Sequence, residues 1–270
     1  MDIAAILSLA VGFASVLLGY IWEGGTIGAL LQKTSAIIVI GGTIGATALT
    51  FPLSELKKLS FAFKLLFKEQ IYNEVDIILQ ISDLSEKARK NGLLSLDQYL
   101  QESEGKIEKD LLKKGLALVV DGVEGDVIKD ILKRESELKF HIYESNIKIL
   151  EAAGGFSPTM GVLGTVMGMV LILGNMGSDT KELAHRIAVA FVATMYGVGL
   201  ANLVYLPLAG RIKSKAEREV MLNDLIIEGL LSIQAGENPR IIKEKLNLTL
   251  LERLNGKSGN KDSEVMKLDK

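Results

Sequence analysis

Two runs of small residues, each with one hydroxyl, are where the spacing of side chains in this sequence could do chemistry. Pro158, Gly161, Thr165 and Gly168 follow one another at steps of three, four and three, and Ala190, Thr194, Gly197 and Ala201 repeat that rhythm. On a helix such steps share one face, so each run forms a stripe of small side chains with a hydroxyl near its middle. In lipid, small stripes let another helix approach closely. The two stripes therefore either pack on each other or face a helix from elsewhere. Thr165 and Thr194 can line a water path or help coordinate a cation, but a hydroxyl cannot take up and release a proton near neutral pH.

The stretches around these stripes carry no Asp, Glu, Lys, Arg or His. Proton movement across a membrane needs a group that titrates, usually one of the acids or His. If the chain conducts ions, the ion-binding carboxylate must then come from a partner helix, and the stripes would be the surface that meets it. Pro158 and Pro207 each remove a backbone donor and are expected to kink or interrupt their helices near the cytoplasmic end. Such a break is tolerated where neighbours or water satisfy the freed carbonyl.

Four apolar segments must position these residues: 3–22, 34–53, 152–176 and 187–208, none with Asp, Glu, Lys or Arg. A bilayer core about 30 Å thick needs about 20 such residues in a helix, so the chain reads as an all-α integral membrane protein with four transmembrane helices and a cytoplasmic helical domain. Basic residues crowd between Lys57 and Lys148 and again from Arg211 onward, with Lys213, Lys215 and Arg218 following. The positive-inside rule places both termini and the middle segment in the cytoplasm and leaves two short links, 23–33 and 177–186, outside. Trp22, at the outer end of the first span, fits an interfacial anchor.

The divisions expected are 1–53 for the first two spans, 54–151 for the cytoplasmic helical domain, 152–210 for the last two spans, 211–255 for C-terminal cytoplasmic helices and 256–270 for a disordered tail. In the middle segment Val75, Ile78, Leu79, Ile81 and Leu84 recur at amphipathic spacing. Asn91-Gly92 should stop that helix just after Arg89 and Lys90, while Ser95 and Gln98 resemble a capping box opening the next, with Asp97 in its first turn. A further helix should run from about Ile128 into the third span, with no breaker before Gly154-Gly155. The fourth span should continue as a helix from Arg211 to Ile233, and Asn238-Pro239 should start another.

Several classes drop out. The net charge of −2 gives no basic field for nucleic acid. The absence of Cys removes disulfides, thiolate nucleophiles and zinc–thiolate sites. His141 and His185 fall on opposite sides of the membrane in this topology, and no nucleophile constellation or phosphate loop is present, which argues against an enzyme, and no cofactor is expected.

The run from Pro158 to Gly168, PTMGVLGTVMG, resembles the third span of the MotA/TolQ/ExbB family, and the run from Ala190 to Gly199, AFVATMYGVG, its fourth. Two spans before the large loop, the segment from Ala88 to Asp97 and the segment from Gln234 to Arg240 resemble its flagellar branch. The resemblance implies a homopentameric ring around a dimer of MotB-type partners, single-span proteins whose helices supply the ion-binding Asp, in the bacterial inner membrane. It further implies that ion flow turns the ring and that Arg89, Lys90 and Asp97 face the rotor protein FliG. Pro158 and Pro207 match the family's two functional prolines. Gln98 follows Asp97 where flagellar members often carry several acids, and Glu102 comes next. Sodium-driven members tend to pair two Thr in the fourth span, and Ala193 stands here beside Thr194, so H+ is the expected ion and Na+ the alternative. The competing readings are a TolQ/ExbB-like energising motor, usually of three spans, and a non-conducting membrane scaffold.

Overall fold

The structure, a computed structural model, describes residues 3–57, 59, 73–102, 110–174 and 180–265, and among them every regular element is helical. They are α1 (Ile3–Trp22), α2 (Ile27–Leu30), α3 (Lys33–Ala36), a π-helical turn π1 (Ile37–Gly41), α4 (Gly42–Thr50), α5 (Glu74–Asn91), α6 (Ser95–Glu102) and α7 (Asp110–Val120). After these come α8 (Gly125–Leu173), α9 (Thr180–Leu200), a second π turn π2 (Ala201–Tyr205), α10 (Leu206–Gln234) and α11 (Pro239–Val265). The chain divides into two compact units, Met1–Glu69 with Ile142–Ser214, and Gln70–His141 with Lys215–Lys270. The second unit thus joins most of the expected middle segment, 70–141, to the C-terminal residues from Lys215.

Among the described residues three helical stretches are long and apolar enough to cross a membrane: Lys33–Thr50, one within Gly125–Leu173 and one within Glu182–Gln234, with Ile6–Trp22 a shorter apolar helix. The second stretch ends at Thr50, before the expected Leu53, because Phe51 precedes Pro52 and takes an extended conformation (φ −119°, ψ 142°). Gly154-Gly155 does not break α8, which runs unbroken for 49 residues through both glycines and Pro158. At Gly154 the missing side chain has a packing use, since a Cβ there would lie 2.7 Å from Leu206 Cδ2.

In the first unit α8 and α9 approach through their glycines. A Cβ on Gly161 would stand 2.9 Å from Ala193 O and 3.1 Å from Thr194 Cα, and one on Gly197 would stand 2.5 Å from Ser157 O and 3.0 Å from Gly161 Cα. A Cβ on Gly168 would lie 2.6 Å from that of Ala190. The contacts at Gly161 and Gly197 are backbone against backbone, which a flexible neighbour cannot relieve. A second cluster joins α8 to α10 and buries Ile147, Leu150, Ala209 and Ile212.

The second unit has its own aliphatic core. Leu222, Leu225, Ile226, Leu230 and Ile233 line one face of α10 and meet Ile78, Ile81 and Leu84 of α5, Leu112 and Leu116 of α7, Ile128 and Leu132 of α8, and Ile242 and Leu246 of α11. Asn223 donates to Ser136 at 2.9 Å inside this core, a satisfied polar pair. Helix ends follow the sequence in three places. Asn73 caps α5 by accepting from the Val75 N–H, Gly92 ends it at φ 84°, and Asn238 accepts from the Arg240 N–H at 3.0 Å. The capping box at Ser95 does not form: Ser95 is already the first helical residue, and its hydroxyl donates back to Gly92 O at 2.7 Å. Helix α11 continues to Val265, so 256–265 depart from the expected disordered tail. No Pro interrupts there, and propagation of an existing helix needs only one bond per added residue. Residues 266–270 lie outside the described residues.

At the start of α5, Glu74 receives two hydrogen bonds from the Arg218 guanidinium of α10, at 2.5 and 2.8 Å. Those bonds hold the Glu74 carboxyl below its ordinary range, against desolvation that pushes it up. A carboxyl lowered by folding contributes stability above its unfolded value, near 4.5, and that contribution is lost as pH falls through the folded value. Because Arg218 is about half exposed, the pair is worth on the order of 0.5–1 kcal/mol. Glu74→Gln should lower the unfolding midpoint of the detergent-solubilised chain at pH 7 and flatten its fall below about pH 4.5. An unchanged acid limb in that variant would remove the assignment. The glycine contact makes a second expectation. Gly197→Ala should destabilise by about 1–3 kcal/mol through overpacking, whereas Gly199→Ala, with nothing within 4 Å of its Cβ, should melt like the parent.

Candidate functional site

Once the glycines bring α8 and α9 together, the two hydroxyls of the stripes meet. Thr165 Oγ1 and Thr194 Oγ1 are hydrogen-bonded to each other. Thr165 Oγ1 also lies 3.1 Å from Gly161 O and 3.0 Å from Ala190 O, and Thr194 Oγ1 lies 3.4 Å from Gly161 O. Two hydroxyl oxygens and two carbonyl oxygens thus share two protons. Such a cluster offers lone pairs to a water or a hard cation, yet it holds no group that titrates near neutrality. Among the described residues no three His, Cys, Asp or Glu side chains gather as a metal site.

The stripes pack on each other, the first of the two arrangements that spacing allowed. Gly161, Ala190, Gly197 and Ala201 are buried within the subunit, while Pro158, Thr165, Gly168 and Thr194 are half-buried and Pro207 is exposed. The helix edge beside the seam carries Val162, Val166, Val170 and Phe191, all exposed.

The prolines do not interrupt their helices. Pro158 cannot donate to Gly154 O, and α8 continues past it. Pro207 cannot donate to Leu203 O, and here the chain takes up the defect in π2, which joins α9 to α10 directly before it. π2 and the matching turn π1 in the second apolar stretch were not readable from composition.

Two polar side chains around the seam escaped the sequence reading. Ser157, fully buried, donates to Gly197 O at 3.0 Å and locks the same glycine contact. Tyr196, on α9, bonds through its hydroxyl to Leu30 O and to the Gln32 N–H in the link before α3. The signal available was general: a Tyr hydroxyl in a charge-free segment needs a partner when buried.

The residues matched to rotor contacts lie in the second unit. Arg89 and Lys90 occupy the last turn of α5 and Asp97 the first turn of α6, and all three are exposed. Lys90 pairs with Glu86 one turn back at 2.6 Å, and Lys87 lies 3.9 Å from the Tyr99 ring centroid, tying α5 to α6. Arg89 also lines a cleft of about 110 Å³ with Leu93, Ile233, Gln234, Gly236 and Glu237. The segments 88–97 and 234–240, singled out separately in the sequence, therefore meet.

Comparison with known proteins agrees with this geometry. Residues 103–224 match the MotA/TolQ/ExbB proton channel family, and residues 6–92 match the motility protein A N-terminal domain. The chain is 34% identical to Motility protein A of Bacillus subtilis (strain 168) over 251 residues, 93% of this chain and 91% of that one. It is 33% identical to chemotaxis protein PomA of Vibrio alginolyticus over 246 residues, 91% of this chain and 94% of the relative. The solved flagellar MotAB stator complex from Bacillus subtilis contains a chain that matches with a TM-score of 0.84 at 34% identity, covering 93% of this chain and 98% of that one. C. jejuni MotAB gives 0.85 at 27% identity, over 92% and 96%. The chain belongs to the MotA/TolQ/ExbB proton channel family, and its N-terminal domain and full-length relatives put it in the motility protein A branch.

Proposed function

We propose that this chain is the channel-forming subunit of a flagellar stator, which with a MotB-type partner converts ion flow into torque on the rotor. The observation that supports this most directly is the Thr165–Thr194 oxygen cluster, set in apolar stretches, 152–176 and 187–208, that hold no Asp, Glu, Lys, Arg or His. Such a seam can pass or coordinate an ion but cannot trap a proton. A partner's membrane carboxylate completes it, lying against the half-buried Pro158, Thr165, Gly168 and Thr194, while the buried Gly161, Ala190, Gly197 and Ala201 supply the packing beneath.

On this reading the chain crosses the bacterial inner membrane four times, α1 being the fourth span, since its 20 residues reach about 30 Å. Both termini and the second unit are cytoplasmic by the positive-inside rule. The subunits form a homopentamer around the partner dimer, and Arg89, Lys90 and Asp97 meet the rotor protein FliG. The family and its relatives are channel proteins, which supports a non-enzymatic role without a cofactor. H+ is the ion favoured by Ala193 beside Thr194, with Na+ the alternative. Each charge crossing 100 mV releases about 2.3 kcal/mol, roughly four times thermal energy, enough to bias a two-state element. The full-length relatives named Motility protein A favour this reading over an energising motor of the outer membrane or a passive scaffold.

Replacing Pro158 or Pro207 with Ala should abolish swimming while ring assembly with the partner persists in purification; motile cells with both variants would defeat the proposal. For the ion, exchanging sodium for potassium in the motility medium at constant pH should leave swimming speed unchanged. A fall in speed on that exchange would assign Na+.

A further inference from the structure

The link before the second apolar stretch holds a contact that the channel reading leaves unused. The chain leaves α2 at Leu30 and enters α3 at Lys33, and between them Leu31 sits at φ −84°, ψ 82°, the geometry of an inverse γ-turn. Its closing bond runs from the Gln32 N–H to Leu30 O at 3.1 Å. Gln32, which precedes α3, has no side-chain cap bond.

The Tyr196 hydroxyl reaches into this turn from α9. It donates to Leu30 O at 2.5 Å and accepts from the Gln32 N–H at 3.3 Å. A second tie runs from Ser35 Oγ to Val189 O at 3.3 Å, so the turn and α3 after it are each joined to α9. Tyr196 stands two residues beyond Thr194, a rotation of roughly 200° on a helix of 3.6 residues per turn. The two side chains therefore leave α9 on nearly opposite sides. One side carries the oxygen cluster against α8, and the other is anchored in the turn.

We propose that Tyr196 is a positioning residue of the ion path: by gripping the Leu30–Gln32 turn, its hydroxyl fixes the rotation of α9 about its own axis and keeps Thr194 aimed at Thr165. This rests on the channel reading of the seam. It assigns the outer link a part in conduction, since loosening the turn frees α9 to rotate its hydroxyl away from the seam.

Tyr196→Phe keeps the ring and removes only the hydroxyl. It is tested in the full chain, with its single-span partner, in cells whose motors are first emptied of stators and then refilled. The number of speed steps counts recruited units, and the height of each step measures torque per unit. The expected result is an unchanged step number, lower steps, and a shift in the external ion concentration at half-maximal speed (pH, for protons) on the order of fivefold, the equilibrium worth of one neutral hydrogen bond. Tyr20→Phe, on α1, should match the parent in every reading. Fewer steps of parental height with an unchanged half-saturation would reduce Tyr196 to a folding role and overturn the proposal, as would parental behaviour in full. If the parent itself gives no ion-dependent step, the channel reading fails and the positioning role falls with it.

Discussion

Everything at the seam depends on two helix backbones meeting at Gly161 and Gly197 with no side chain between them. In lipid there is no hydrophobic gain from pressing one apolar helix on another, so close packing and hydrogen bonds must hold the pair. The glycines permit the approach, and the approach brings two hydroxyls and two carbonyls into one cluster. Ser157 then bonds across the same contact to Gly197 O. A larger residue at either glycine would part the helices and dissolve the cluster, even with both threonines still in place.

Under the proposed function, that constraint gives a reason for dividing the chemistry between chains. A carboxylate inside this subunit would be costly to bury without a counter-ion, and it would sit at a fixed place relative to the oxygens that receive its ion. Placed on a separate helix, the carboxylate can change its position against the seam as it loads and unloads. The energies agree with such a division. One ion at 100 mV supplies about 2.3 kcal/mol, whereas each seam hydrogen bond contributes about 0.5–1.5 kcal/mol and the glycine packing adds to their sum. An ion step is too small to unmake the α8–α9 pair, so under the proposed function this pair moves as one body against its partner.

Much of this was legible in the sequence because it is written locally. Charge-free runs of about 20 residues announce spans, and steps of three and four announce a shared face. Asn238 as a cap, and Gly92 at a positive φ, are nearest-neighbour effects that a linear reading captures. What spacing could not decide was the destination of each stripe. Two small faces fit a neighbour in the same chain as well as a helix from another, and only the three-dimensional arrangement shows Gly161 against Gly197.

The misreadings share a cause, which is that each residue-type signal was outweighed by how the surrounding backbone folds. Gly154-Gly155 looks like a breaker because glycine costs about 1 kcal/mol in a helix, yet Leu206 uses the space at Gly154. Ser95 looks like a cap, but the turn at Gly92 starts the helix one residue sooner than the capping pattern requires. Pro207 looks like a kink, and the defect is absorbed by a π turn that no composition encodes. Tyr196 carried no pattern at all, because its partners are backbone atoms of a turn more than 160 residues away. A backbone atom has no side-chain identity to read, so contacts of this kind become visible only when the chain is folded.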